Sequence, residues 1–170
     1  MNVSRIRHAL VPAILFAAVA SPGHAKKGIG PGPIVMSDEE KLLEADPAQG
    51  IEHAVILVEE TTRIENAGPV MRIVFHLRAK ILSNEGRALA DIEIPFPRKG
   101  AKLREFWGRT ILPDGTVHEL KKTDLDRQVL VKAGRSGIEI AKAALPGVVP
   151  GCVIDFGYVL TMNGYYPYDR

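Results

Sequence analysis

The chain carries one cysteine, Cys152, and a thiol nucleophile needs a base and a carboxylate to orient that base. His118 and Asp155 are the partners the sequence offers. Asp155 follows Cys152 by three residues, inside a run that alternates at period two. Cys152, Ile154, Phe156, Tyr158, Leu160 and Met162 fall on one face; Asp155, Gly157 and Thr161 fall on the other. Successive side chains of a strand point to opposite faces, so thiol and carboxylate are parted. A free cysteine on an apolar face behaves as a small, buried hydrophobe. Core packing is the expected role of Cys152, and no catalytic residue is expected.

Five histidines, His8, His24, His53, His76 and His118, are the candidate metal ligands. The first two lie in the leader described below, and the other three are far apart with no ligand neighbour at tight spacing. Neither a metal centre nor a cofactor is expected. His76 falls on the charged face of its strand and is read as solvated. The glycine-rich stretches lack a phosphate-loop lysine and a dinucleotide fingerprint. The remaining candidate is a basic patch, Arg98, Lys99, Lys102, Arg104 and Arg109, set beside Phe106 and Trp107. Cations interleaved with aromatics can hold anionic glycans or sugar–phosphate polymers, which makes Arg104, Trp107 and Arg109 the possible ligand face. The competing reading is a solvated strand face with Trp107 in the core.

These residues need elements to position them. The first 25 residues read as a secretory signal peptide: Arg5, Arg7 and His8, an apolar run over 9–20 broken only by Pro12, then small residues ending at Ala25. The run is short for a membrane span, so the expected product is periplasmic or secreted, without stable membrane insertion after cleavage. Two of the 22 basic residues leave with the leader, so twenty face twenty acidic ones. A neutral domain offers no electrostatic case for nucleic acid. A single cysteine permits no internal disulfide, and the 46% hydrophobic content suits a self-sufficient core.

Residues 26–50 read as a Gly/Pro-rich linker and a short helix. Ser37 and Glu40 form a capping box ahead of a helix expected from Asp38 to about Ala45, and Asp38, Glu39 and Glu40 suit its first turn. From residue 51 to 162 the pattern is β. Met71, Ile73, Phe75, Leu77, Ala79 and Ile81 alternate with Arg72, His76, Arg78 and Lys80. The next strand sets Ala90, Ile92, Ile94 and Phe96 against Asp91 and Glu93, which are expected to pair across from Arg78 and Lys80 after a turn at Asn84-Glu85-Gly86. Two Pro-Gly steps, Pro146-Gly147 and Pro150-Gly151, introduce the strand of Cys152, which is read as half-buried. The fold class expected is mainly β, an antiparallel β-sandwich or curved sheet of about eight strands with one short N-terminal helix. Residues 163–170 read as a tail that begins a further strand.

Four segments, EHAVILVEE (52–60), KILSNEGRALADIEIPF (80–96), GRTILPDGTV (108–117) and ALPGVVPGCVIDFGY (144–158), resemble in order a bacterial exported domain of unknown function. That domain stands before transglutaminase-like (cysteine-protease-like) domains, and residues 37–50 resemble its usual lead-in. The Cys-His-Asp machinery of the downstream domain has no counterpart in this sequence. The resemblance implies a non-catalytic scaffold or recognition module, with a transglutaminase-like domain in cis or in trans as partner. The alternative expectation is a cell-envelope module that binds glycan or peptide through residues 98–109. A Cys152-dependent enzyme ranks third.

Overall fold

The computed structural model describes residues 30–65, 69–133 and 136–163. Among them are eight strands: β1 (Ala54–Glu65), β2 (Val70–Ile81), β3 (Asp91–Pro97), β4 (Ala101–Ile111), β5 (Val117–Lys121), β6 (Asp126–Ala133), β7 (Ser136–Ala144) and β8 (Val153–Asn163). They form two antiparallel sheets, ordered β1-β2-β8-β4-β5 and β3-β7-β6. Alternation explains the layering. The apolar rows of β2, β4 and β8 meet Ile92, Ile94 and Phe96 of β3 and Ala141 of β7 in one core. Ile81, Ile94 and Ile154 are completely buried there, and each such side chain contributes roughly 1.5–3 kcal/mol through removal from water. Of the two architectures expected from the pattern, a sandwich or a curved sheet, the two-sheet sandwich is the one observed.

Three local readings are corrected. Asp91 and Glu93 do not face Arg78 and Lys80. A 3-10 helix (Glu85–Ala90) occupies the expected turn and carries the chain across to the other sheet, where β3 pairs with β7. Glu93 stands opposite Lys142, and Lys142 Nζ approaches its Oε1 to 2.6 Å. The N-terminal helix α1 (Asp38–Leu42) stops short of Ala45, because Leu43 is already extended. Asp46 just beyond it precedes a proline, which disfavours the helical conformation. Finally, β8 is buried on both faces along most of its length, as the central strand of the larger sheet.

The entry to β8 follows the expected turn chemistry. Gly147 and Gly151 adopt φ of 68° and 91°, the left-handed region a side chain would oppose. The outer face of the larger sheet, away from the sandwich core, is crossed by residues 30–43. Met36 anchors that segment in a second apolar cluster with Ile111 and Val153, flanked by Leu57 and Val117.

Candidate functional site

Alternation sends Arg78 of β2, Asp155 of β8 and Arg109 of β4 to the outer face, and strand register sets them side by side. Arg78 lies opposite Asp155, and Asp155 opposite Arg109. The neighbouring row is His76, Gly157, Trp107 and Lys121. Asp155 is wholly buried. Its Oδ2 accepts from Arg109 Nη2 at 2.6 Å and Nε at 3.0 Å, and from Arg78 Nη1 at 3.4 Å. Its Oδ1 lies 2.7 Å from His76 Nε2, within hydrogen-bond distance.

The leading segment closes over this row. Arg78 Nη1 donates to Pro33 O at 2.9 Å and Nη2 to Val35 O at 3.2 Å, while Arg109 Nη2 donates to Gly32 O. Glu40 completes the cover. It takes a fork from Arg78, Nε to Oε1 at 2.6 Å and Nη2 to Oε2 at 2.9 Å. The same Oε2 accepts from Ser37 N at 2.8 Å, and Ser37 Oγ accepts from Glu40 N at 3.2 Å. The expected capping box is present, and its glutamate also ties helix to sheet. Lys80, 4% exposed, donates to Met36 Sδ at 3.3 Å.

Electrostatics follow from these partners. The Arg78 guanidinium holds the Glu40 carboxyl below its ordinary range. Burial alone would lower the pKa of Arg78, but Glu40 and Asp155 outweigh it and the net shift is upward. Burial pushes Lys80 down. Three cations, Arg78, Arg109 and Lys80, face two carboxylates, Asp155 and Glu40. A paired buried carboxylate is close to neutral for stability against an apolar replacement, whereas removing one partner is expensive.

The chemical capacity of the cluster is limited by geometry. An imidazole held by a carboxylate is the orienting half of a nucleophilic triad. Cys152, the one thiol of the chain, lies in the sandwich core on the other face of β8, fully buried, and burial pushes its pKa up. The packing role expected of it is the one observed.

Of the proposed ligand-face residues, Arg104 is exposed at a bulge between Leu103 and Glu105 and donates from Nε to Thr161 Oγ1 at 2.9 Å. Trp107 is half-buried and lies across Gly157, where a Cβ would come within 2.2 Å of its Cζ2. Its ring centroid stands 6.3 Å from that of His76. Trp107 Nε1 is buried without a hydrogen-bond partner among the described residues. Arg109 is 6% exposed and engaged with Asp155. Trp107 and Arg109 share a cleft of about 200 Å³ with Pro31, Glu119 and Lys121, and Arg104 is not part of its wall. A larger hollow of about 620 Å³, between residues 84–91 and 144–149, includes no member of the charge cluster.

His76, read as solvated, is 7% exposed and bound to Asp155. Its strand is internal and the leading segment covers the adjoining row, neither of which alternation on β2 alone reveals. His53 pairs with Ser83 Oγ at 3.0 Å, and His118 packs against Gly147. Among the described residues no group of three or more His, Cys, Asp or Glu side chains is placed to hold a metal ion. Sequence reading missed the cluster as a unit. Its one local signal was Asp155, an acid inside an otherwise apolar strand.

Comparison with known proteins adds family and fold. The sequence profile of a domain of unknown function with known structure (DUF3857) matches residues 71–169. A crystal structure of a "putative protease" from Parabacteroides distasonis ATCC 8503 superposes with a TM-score of 0.60 at 14% identity, covering 68% of this chain and 24% of that one. The chain thus spans about a quarter of that protein, and at this identity the likeness is one of fold. No curated protein matches the chain.

Proposed function

This chain belongs to the DUF3857 family, and on that premise we propose that it is a non-catalytic, exported scaffold or recognition module that works beside a transglutaminase-like (cysteine-protease-like) domain, in cis or in trans. One observation carries the reading. The acid–base groups of the outer-face cluster are engaged with one another: Asp155 with two guanidinium groups and an imidazole, Glu40 with a guanidinium and a helix cap. The thiol that could use them lies on the opposite face of the strand, buried and pushed toward its neutral form. Groups committed in this way favour a supporting role beside a neighbouring domain. The likeness to a segment amounting to 24% of a larger protein suits a module that forms part of a longer assembly.

The test is an assay of purified residues 26–170 for peptide hydrolysis and for acyl transfer from a glutamine amide to an amine, alongside Cys152→Ala. Turnover equal to buffer in both proteins is the expected result. Turnover that vanishes in Cys152→Ala overturns the reading. Export is tested separately by fractionating the producing cells, with Lys26 as the expected first residue of the mature chain.

A further inference from the structure

We propose that the outer face of the five-stranded sheet is a binding site for an acidic peptide, and that residues 32–40 are its resident ligand in cis. The contacts are those by which a groove reads a peptide. Three backbone carbonyls, of Gly32, Pro33 and Val35, accept from Arg109 and Arg78. One side chain, Met36, fills an apolar recess formed by Leu57, Ile111, Val117 and Val153. Four residues on, the Glu40 carboxylate meets the Arg78 guanidinium in a two-pronged fork, the geometry that makes arginine selective for carboxylates.

The sheet organises part of the site itself. Asp155 holds Arg109 by two hydrogen bonds and touches Arg78 by one longer bond at 3.4 Å, so the Arg109 guanidinium is positioned from beneath. Fixed donors spare the ligand the entropic cost of ordering them. Without residues 32–40 the row would keep Arg78 and Arg109 on either side of Asp155, with Glu119 beside Arg109 on β5, and Arg78 would lose the carboxylate that meets its fork. An acidic occupant supplies that carboxylate.

The occupant contributes little to the sandwich itself. Met36 is the only buried residue between positions 30 and 50, and α1 buries none. Ile34, Val35 and Leu42 are 61%, 63% and 80% exposed. Residues 43–45, which join it to the domain, have no regular structure. A ligand tethered this closely acts at an effective concentration on the order of millimolar, so a separate peptide displaces it only at high local concentration or through tighter contacts. The competitor this geometry fits is a segment with a long unbranched apolar side chain, a helix cap directly after it and a carboxylate four residues on from the apolar side chain, in the first turn of that helix.

The experiment uses the full chain with a protease recognition sequence inserted at residues 43–45. After cutting, the leading segment is expected to co-elute with the domain and to exchange for a labelled synthetic peptide of residues 30–44. Peptides carrying Glu40→Gln or Met36→Asp should compete at least about 10-fold more weakly, the size of one lost charge-assisted bond or one lost apolar anchor. A scrambled peptide should not compete. These comparisons all use the same cut protein, so they do not depend on a further variant folding. Arg78→Lys in the cut chain, which keeps charge but loses the fork, should weaken retention. The proposal is overturned if the cut segment leaves and does not rebind, if its release unfolds the domain, or if all peptides compete equally. Label recovered only in a species of twice the mass would overturn the separate-peptide reading in favour of exchange between two copies.

Discussion

Arg109 and Asp155 face one another across adjacent strands, and the guanidinium closes on one carboxylate oxygen from two nitrogens, at 2.6 and 3.0 Å. Because Arg78 reaches the same oxygen from the other side, Asp155 is the shared counter-charge of two arginines that are each at least 94% buried. Asp155→Asn keeps the shape and removes the charge. It should cost roughly 3–5 kcal/mol, the price of leaving buried charge uncompensated, read as a fall in the urea midpoint. Arg109→Met alone should also destabilise, and the double variant Asp155→Asn/Arg109→Met should lose less than the two single losses summed.

The Glu40–Arg78 fork makes the attachment of the leading segment pH-dependent. The folded-state pKa of Glu40 is lowered, chiefly by the Arg78 hydrogen bond, from a reference of 4.5. A lowered carboxyl pKa means that its stabilisation is fully present above the unfolded value and is lost as pH falls through the folded one. Amide hydrogen exchange in residues 32–42 should therefore accelerate as pH drops below about 4.5, once the intrinsic pH dependence is subtracted. Glu40→Gln should flatten that profile and start from lower protection. A profile unchanged by the substitution would contradict the assignment.

For Lys80 a lowered pKa marks a cost at neutral pH, where that of Glu40 marks a gain, because lysine is charged in its protonated form. Burial lowers its pKa, so the folded state binds its proton less tightly than the unfolded chain does. Stability from this group is lowest when both states are protonated and rises with pH between the folded and unfolded values. Its donor bond goes to a thioether, a weak acceptor. Lys80→Met should be neutral or raise stability by about 1 kcal/mol at neutral pH, and should abolish the alkaline rise in a pH series of thermal midpoints.

Gly157 and Trp107 give a packing test with a built-in reporter, since Trp107 is the chain's one tryptophan. A Cβ at position 157 would meet Trp107 Cζ2 at 2.2 Å and the backbone oxygen of Phe75 at 2.5 Å. Gly157→Ala should destabilise by about 1–3 kcal/mol through overpacking and shift the emission maximum as the indole is displaced. Trp107→Leu on that background should recover only part of the loss, because the Phe75 carbonyl cannot retreat as a side chain can.

Cys152 should be silent in the native state. It is fully buried and its thiol is pushed toward the neutral form, while the thiolate is the reactive species. A thiol reagent such as Ellman's should react only at the rate of unfolding, and stoichiometrically in denaturant. Rapid reaction of the native protein would place the thiol elsewhere.

What could be read in the sequence was the part governed by local periodicity. The inner row of β2, the Pro-Gly turns before β8 and the Ser37–Glu40 cap are all set by residues within a few positions of each other. The cluster was not legible because it depends on register between strands some 77 residues apart in the case of Arg78 and Asp155, and on a leading segment from 38 residues before Arg78. The same non-local pairing misdirected His76 and the expected partners of Asp91 and Glu93. On a single strand, an outward charged row and a covered one look alike. Asp155 differed, because an acid in the middle of an apolar strand requires a buried counter-charge somewhere.

The position of β8 also governs the order in which the domain can be completed. It is the last in sequence of the eight strands among the described residues and yet sits in the middle of the larger sheet, between β2 and β4. Until residues 153–163 are in place, the β1–β2 and β4–β5 hairpins are two half-sheets, each with an unpaired inner edge of eleven or twelve residues. Such edges are templates for pairing with other chains, and joining them needs contacts of long sequence separation, which form slowly. Any process that delivers the chain N-terminus first leaves both half-sheets waiting for their keystone, and that interval is when this protein most needs shielding from its neighbours.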